Sequence, residues 1–138
     1  MANPANPAQF PIAQRDAFLI PSGPNLTEDQ FHLFVVLTDP GKSNEVLMVN
    51  ATTCYPNIPD DPSCYLEAGD HNFIQHRSYV LYEKSRKLSI TKLRQLIAAK
   101  TIIFRPPPVN HAVFTRIGAA VPGSRMSPDH IDFFNRYR

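Results

Sequence analysis

Residues 31–53, FHLFVVLTDPGKSNEVLMVNATT, decide the fold. A β-branched and aromatic run, FHLFVVLTDP, is closed by DPGKSN and followed by a second apolar run, EVLMVNATT, over 45–53. Pro, Gly, Asp and Asn supply turn geometry between two stretches whose bulky side chains suit a pleated surface. The segment therefore predicts a β-hairpin. Upstream, DAFLI (16–20) predicts a short strand ended by the turn chemistry of PSGPN, with polar LTEDQ after it. Downstream, CYPNIPDDPS (54–63) cannot sit inside a sheet, because proline has no N–H to give to a ladder. CYLEAGD (64–70) reads as a short strand or its lead-in. SYVLYEKSR (78–86) reads as another strand, with Tyr79 and Leu81 alternating with exposed polar neighbours. Short strands at short intervals predict a small antiparallel sheet or barrel.

After residue 88 the pattern changes period. Ser89 is a good helix cap, and ITKLRQLIAAK sets Ile90, Leu93, Leu96 and Ile97 on one helical face. RPPP (105–108) breaks the chain, and VNHAVFTRIGAA (109–120) fits a helix or a strand. In MSPDHIDFFNRYR, Ser127 as cap and Pro128 at the first helical position predict a short terminal helix. The class is α+β: an extended arm over 1–14, then one domain with a β part over 15–88 and a helical part over 89–138.

Composition narrows the functions. The chain has 138 residues, 43% hydrophobic and 19% charged, with a net charge of +2, which suits a folded domain rather than a disordered one. That charge tolerates a nucleic-acid partner without demanding one. Fourteen prolines against five glycines confine strands to short runs between punctuated loops. No apolar run is long enough for a membrane span, and MANPANPAQFPIAQ has no basic region followed by an apolar one, so the expected location is the cytoplasm.

The chemistry-bearing residues concentrate in GDHNFIQHRSYV (69–80), where His71 and His76 stand among Asp70, Arg77, Ser78 and Tyr79. Histidine titrates near neutrality, so two of them beside a phosphate can act as base and acid; either can equally be a hydrogen-bonded loop residue. His32 adds a third at the start of the strongest strand. Thr52 and Thr53 end the next strand, where a hydroxyl can donate to a phosphate oxygen or simply satisfy strand preference. Cys54, Cys64, His71 and His76 are four zinc-type ligands, but they lack the close cysteine spacing of a zinc knuckle. In a reducing compartment the two cysteines read as free thiols, and no local motif makes Cys54 a nucleophile. Lys84, Arg86, Lys87, Lys92 and Arg94 form a basic segment that is a solvated face or a track for a nucleic-acid backbone. No glycine-rich phosphate loop, G-x-S-x-G elbow or paired-carboxylate signature is present.

The order of these elements resembles the PemK/MazF-like toxin endoribonucleases. The likeness lies in a strand carrying Asp (RDAFLI), an apolar strand with a polar residue at its mouth (FHLFVVLTD), a strand ending in hydroxyls (LMVNATT), and SYVLYEKSRKLS leading to a helix. It covers roughly residues 15–100. It implies a small antiparallel SH3-like β-barrel followed by C-terminal helices, and metal-independent cleavage of single-stranded RNA without a cofactor. It also implies an antitoxin protein as partner and is open to a homodimer. The family's basic residue, usually Arg, falls on His32, and its Thr or Ser on Thr52 or Thr53. Histidine cannot keep the permanent forked charge of Arg on a phosphate, so His32 would shuttle a proton, with His71 or His76 sharing the work. Arg77 with Thr52 or Thr53 would hold the non-bridging oxygens, with Ser78, Tyr79, Lys84 and Arg86 as further substrate contacts. The alternatives are a non-catalytic protein- or RNA-interaction domain on the same surface, or a zinc-stabilised module.

Overall fold

The 31–53 hairpin forms where the sequence places it. In the computed structural model, which describes residues 9–21 and 31–138, strand β2 is Phe31–Val36 and strand β3 is Glu45–Thr53. They pair antiparallel, with Leu33 opposite Ala51 and Val36 opposite Met48. The Asp39 carboxylate accepts the Gly41 N–H at 2.8 Å and its carbonyl accepts the Lys42 N–H at 3.0 Å, closing the turn. Thr38 Oγ1 accepts the Leu47 N–H at 2.9 Å, so the buried threonine continues the ladder in place of backbone. The first eight residues of the expected arm, and the PSGPN turn beyond Pro21 with LTEDQ, lie outside the described residues.

Four further strands complete the sheet: β1 Ala17–Pro21, β4 Tyr65–Leu66, β5 Ser78–Ser89 and β6 Ile103–Phe104. The order is β4-β5-β3-β2-β1-β6, with every pairing antiparallel. Among the described residues three α-helices follow or interrupt it: α1 Ile90–Ala98, α2 His111–Ala120 and α3 Pro128–Tyr137. The chain is thus α+β, a six-stranded antiparallel sheet with its helices in the C-terminal part.

Both faces of the sheet are buried, which explains the unbroken apolar runs of β2 and β3. Leu33, Val35, Leu47 and Val49 pack with Ile117 of α2 and Phe134 of α3 on one face. Phe34, Val36, Val46 and Met48 pack with Leu93 of α1 and Ile102 on the other. Each such side chain is worth about 1.5–3 kcal/mol when fully buried. Among the described residues the edge strands β4 and β6 pair only with β5 and β1, so the sheet stays open. Strands clothed on both faces by helices have no need to close on themselves.

The helices form for the reasons legible in their sequences. Ser89 Oγ accepts the Lys92 N–H, Asn110 Oδ1 the Val113 N–H and Ser127 Oγ the His130 N–H, capping α1, α2 and α3. Leu93 is fully buried, with Ile90, Leu96 and Ile97 partly buried beside it. Residues 109–120, open between helix and strand, are helical because Asn110 caps them and Val113 and Ile117 reach the core. The alternation read in 78–86 is corrected: Ser78, Tyr79, Val80 and Tyr82 are all buried and Leu81 is half-buried, since the first part of β5 is covered on both sides, while Glu83 and Lys84 are exposed.

Candidate functional site

Antiparallel pairing brings the start of β2, the end of β3 and the start of β5 to one end of the sheet. Thr53 pairs with Ser78 there, and Leu33 with Ala51 one step inside. A cleft of about 660 Å³ opens at this end, lined by His32, Thr52, Thr53, His76, Ser78 and Arg105. Phe31, Tyr55 and Phe73 supply aromatic walls.

The turn over 69–77 builds one side. Gly69 has φ 93°, a left-handed conformation that only glycine adopts without strain. Its N–H reaches the Ile74 carbonyl at 2.9 Å, while the Asp70 carboxylate accepts the Glu67 N–H at 2.8 Å. Asp70 also pairs with Arg116 of α2 at 2.8 Å. This frame presents His76, exposed, into the cleft. Ser78 lies below it, 5% exposed, and its hydroxyl donates to the His76 carbonyl at 2.9 Å. The Ser78 proton is therefore spent on positioning His76, while Thr53 and Tyr55 also bring hydroxyls to the lining. Thr52 Oγ1 is buried and meets no hydrogen-bond partner among the described residues.

Arg105 builds the opposite side. Its N–H donates to the Ala17 carbonyl at 2.8 Å as the chain leaves β6, and its guanidinium lies 5.4 Å from the centre of the Phe73 ring. Sequence reasoning missed it. Its one local signal was the run of prolines that follows, which fixes where the chain goes. Tyr55, Phe31 and Phe73 were missed as well, since nothing in an isolated aromatic marks it as a cleft wall.

His71 stands elsewhere. It is 3% exposed and does not line the cleft. Its Nδ1 accepts the Phe73 N–H at 3.0 Å and its Nε2–H donates to the Pro107 carbonyl at 2.7 Å. Burial pushes its pKa down, with the Pro107 carbonyl opposing, so the ring is held neutral. Arg77 also points away, paired with Glu67 at 3.3 Å and stacked 4.3 Å over the Tyr65 ring. Tyr79 is buried between Thr52 and Tyr65 in the sheet. Lys84 is exposed outside the lining, and Arg86 lies 5.2 Å over Phe34. The basic segment and the cleft are separate features.

The four zinc-type residues do not gather, and among the described residues no three His, Cys, Asp or Glu side chains stand close enough to hold one metal ion. Both cysteines are free thiols. Burial and then the Asp60 carboxylate raise the Cys54 thiol's pKa, and burial raises that of Cys64, which disfavours the thiolate a nucleophile needs. No helix among the described residues is long and apolar enough to cross a membrane.

No protein-family model matches the chain, and no curated protein matches it. The cleft's own chemistry therefore carries the functional argument.

Proposed function

We propose that the chain is a PemK/MazF-like endoribonuclease that cleaves single-stranded RNA in this cleft, its sheet an opened form of that family's SH3-like barrel. One observation carries the reading: two histidines, two threonines and a guanidinium, drawn from four separate segments, line one open cleft. His76 takes the proton of a ribose 2′-OH as its oxygen attacks the adjacent phosphorus. The bond from phosphorus to the 5′ oxygen breaks, and His32 gives a proton to that oxygen. A 2′,3′-cyclic phosphate and a 5′-OH remain, so the atoms balance without a further reactant. Arg105 supplies the permanent forked charge that a histidine in the family's basic position lacks, and Thr53 donates to a non-bridging oxygen, the Thr52 hydroxyl being buried.

The aromatic walls support substrate choice. Phe31, Tyr55 and Phe73 offer faces on which unpaired bases stack, and such stacking is worth about 1–3 kcal/mol per base. The same walls favour a second reading, a domain that binds single-stranded RNA without cutting it. Incubating the purified chain with an end-labelled single-stranded RNA separates the two: cleavage supports the first, retention of intact RNA the second.

A further inference from the structure

We propose that His71 is a positioning residue of the cleft, a neutral brace that ties the turn carrying His76 to the segment carrying Arg105. The inference rests on the cleft being the reactive site and goes beyond it, because His71 itself does not line that cleft.

The two walls come from distant parts of the sequence and from different structural units. The 69–77 turn hangs from the start of β5, and residues 105–108 leave β6 on the far edge of the sheet. His71 contacts both through one rigid ring. The Phe73 N–H donates to Nδ1 at 3.0 Å on the turn side, and Nε2–H donates to the Pro107 carbonyl at 2.7 Å on the other. A donor on one nitrogen and an acceptor on the other fixes a single neutral tautomer. Burial holds the ring in place, 3% exposed. The Arg105 guanidinium over the Phe73 ring at 5.4 Å closes the same loop of contacts from the cleft side. Phe73, Gln75, His76 and Arg105 all line the cleft. Cutting the Pro107 bond thus removes a tie between the walls, and cutting the Phe73 bond loosens the ring within its own turn, with every cleft side chain left present.

Two substitutions cut one bond each. In His71→Asn the amide oxygen stands near the position of Nδ1 and keeps an acceptor for Phe73, but nothing reaches Pro107. In His71→Gln the amide nitrogen stands near the position of Nε2 and keeps a donor for Pro107, but the Phe73 N–H is orphaned. Backbone amide NMR on the full-length chain reads the consequence without RNA. The brace predicts that His71→Asn, which cuts the bond to Pro107, moves amides on both walls, including Gln75, His76 and Arg105, whereas His71→Gln, which keeps it, moves those of the turn. Shifts confined to one wall in His71→Asn overturn it. Should both variants fail to fold, imidazole nitrogen NMR of the wild type decides: the Nε2–H tautomer supports the brace, and a proton on Nδ1 overturns it.

Cleavage of a single-stranded RNA oligonucleotide gives the functional arm. His71→Asn lowers turnover by about tenfold to a hundredfold, the scale of a small misplacement of reacting groups. It adds less than its own full factor when Arg105→Ala is already present, because part of the brace's effect runs through that residue. A full multiplicative loss in the double variant contradicts the brace. A wild-type chain that neither binds nor cleaves RNA removes the proposed function, and the spectral arm then decides the brace alone.

Discussion

Thr53 and Ser78 face one another across the β3–β5 ladder at the floor of the cleft, yet their hydroxyls do different jobs. Ser78 donates to the His76 carbonyl, so its proton fixes the turn. Ser78→Ala removes that bond and should cost about 0.5–1.5 kcal/mol in urea denaturation. It should also lower RNA cleavage through a loosened His76. Unchanged stability in Ser78→Ala would show that the hydroxyl is not anchoring the turn.

The helix α1 face has one anchor. Leu93 is fully buried between α1 and the sheet, whereas Leu96 is only partly covered. Leu93→Ala should cost about 2–5 kcal/mol and Leu96→Ala distinctly less. Chemical denaturation of the two variants checks the ranking, and equal losses would mean that α1 packs more evenly than its exposure indicates.

Acid should weaken the fold through His71. Burial holds its folded pKa below the ordinary 6.5, so the unfolded chain binds a proton before the folded one does. The contribution is therefore complete above about pH 6.5 and is lost as pH falls from there toward the folded value. His130, depressed by burial and then by the Lys87 charge, adds loss of the same sign. Denaturation midpoints at about pH 7.5 and pH 5 should differ in wild type and differ less in His71→Gln, which has no ring to protonate. A steeper fall in the variant would contradict this assignment.

Charges outside the cleft should be dispensable for cleavage. Arg77 is held by Glu67 and Tyr65, and Arg86 lies over Phe34, so neither is placed to meet a phosphate in the cleft. Arg77→Ala and Arg86→Ala should leave the rate nearly unchanged, while Arg105→Ala lowers it by about a hundredfold or more. Rates on one RNA oligonucleotide compare all three directly.

What could be read in the sequence depended on whether the signal was local. The β2–β3 hairpin was legible because turn residues separate two bulky apolar runs. Ser89 and Ser127 announced α1 and α3 because a cap and a helical apolar face lie side by side in the chain. The openness of the sheet was not legible, since an unbroken run such as LFVV shows burial on both faces but not what covers them. Strand β6 has only two residues, too few for any period to register. In the cleft, His32, Thr52, Thr53, His76 and Ser78 were found because strand ends and a histidine-rich turn are visible in sequence. Arg105 was not, because only the pairing of β6 with β1 brings it there. His71 and His76 look alike in the sequence; burial separates the first from the exposed second.

Cleavage of a single-stranded RNA by wild type and by His76→Ala, with the product ends identified, tests the proposed chemistry at its proton transfer. Wild type should leave 2′,3′-cyclic phosphate and 5′-OH ends, and the folded variant should cleave about a hundredfold or more slowly. Wild-type rates from His76→Ala, or intact RNA after incubation with the wild-type chain, would contradict it.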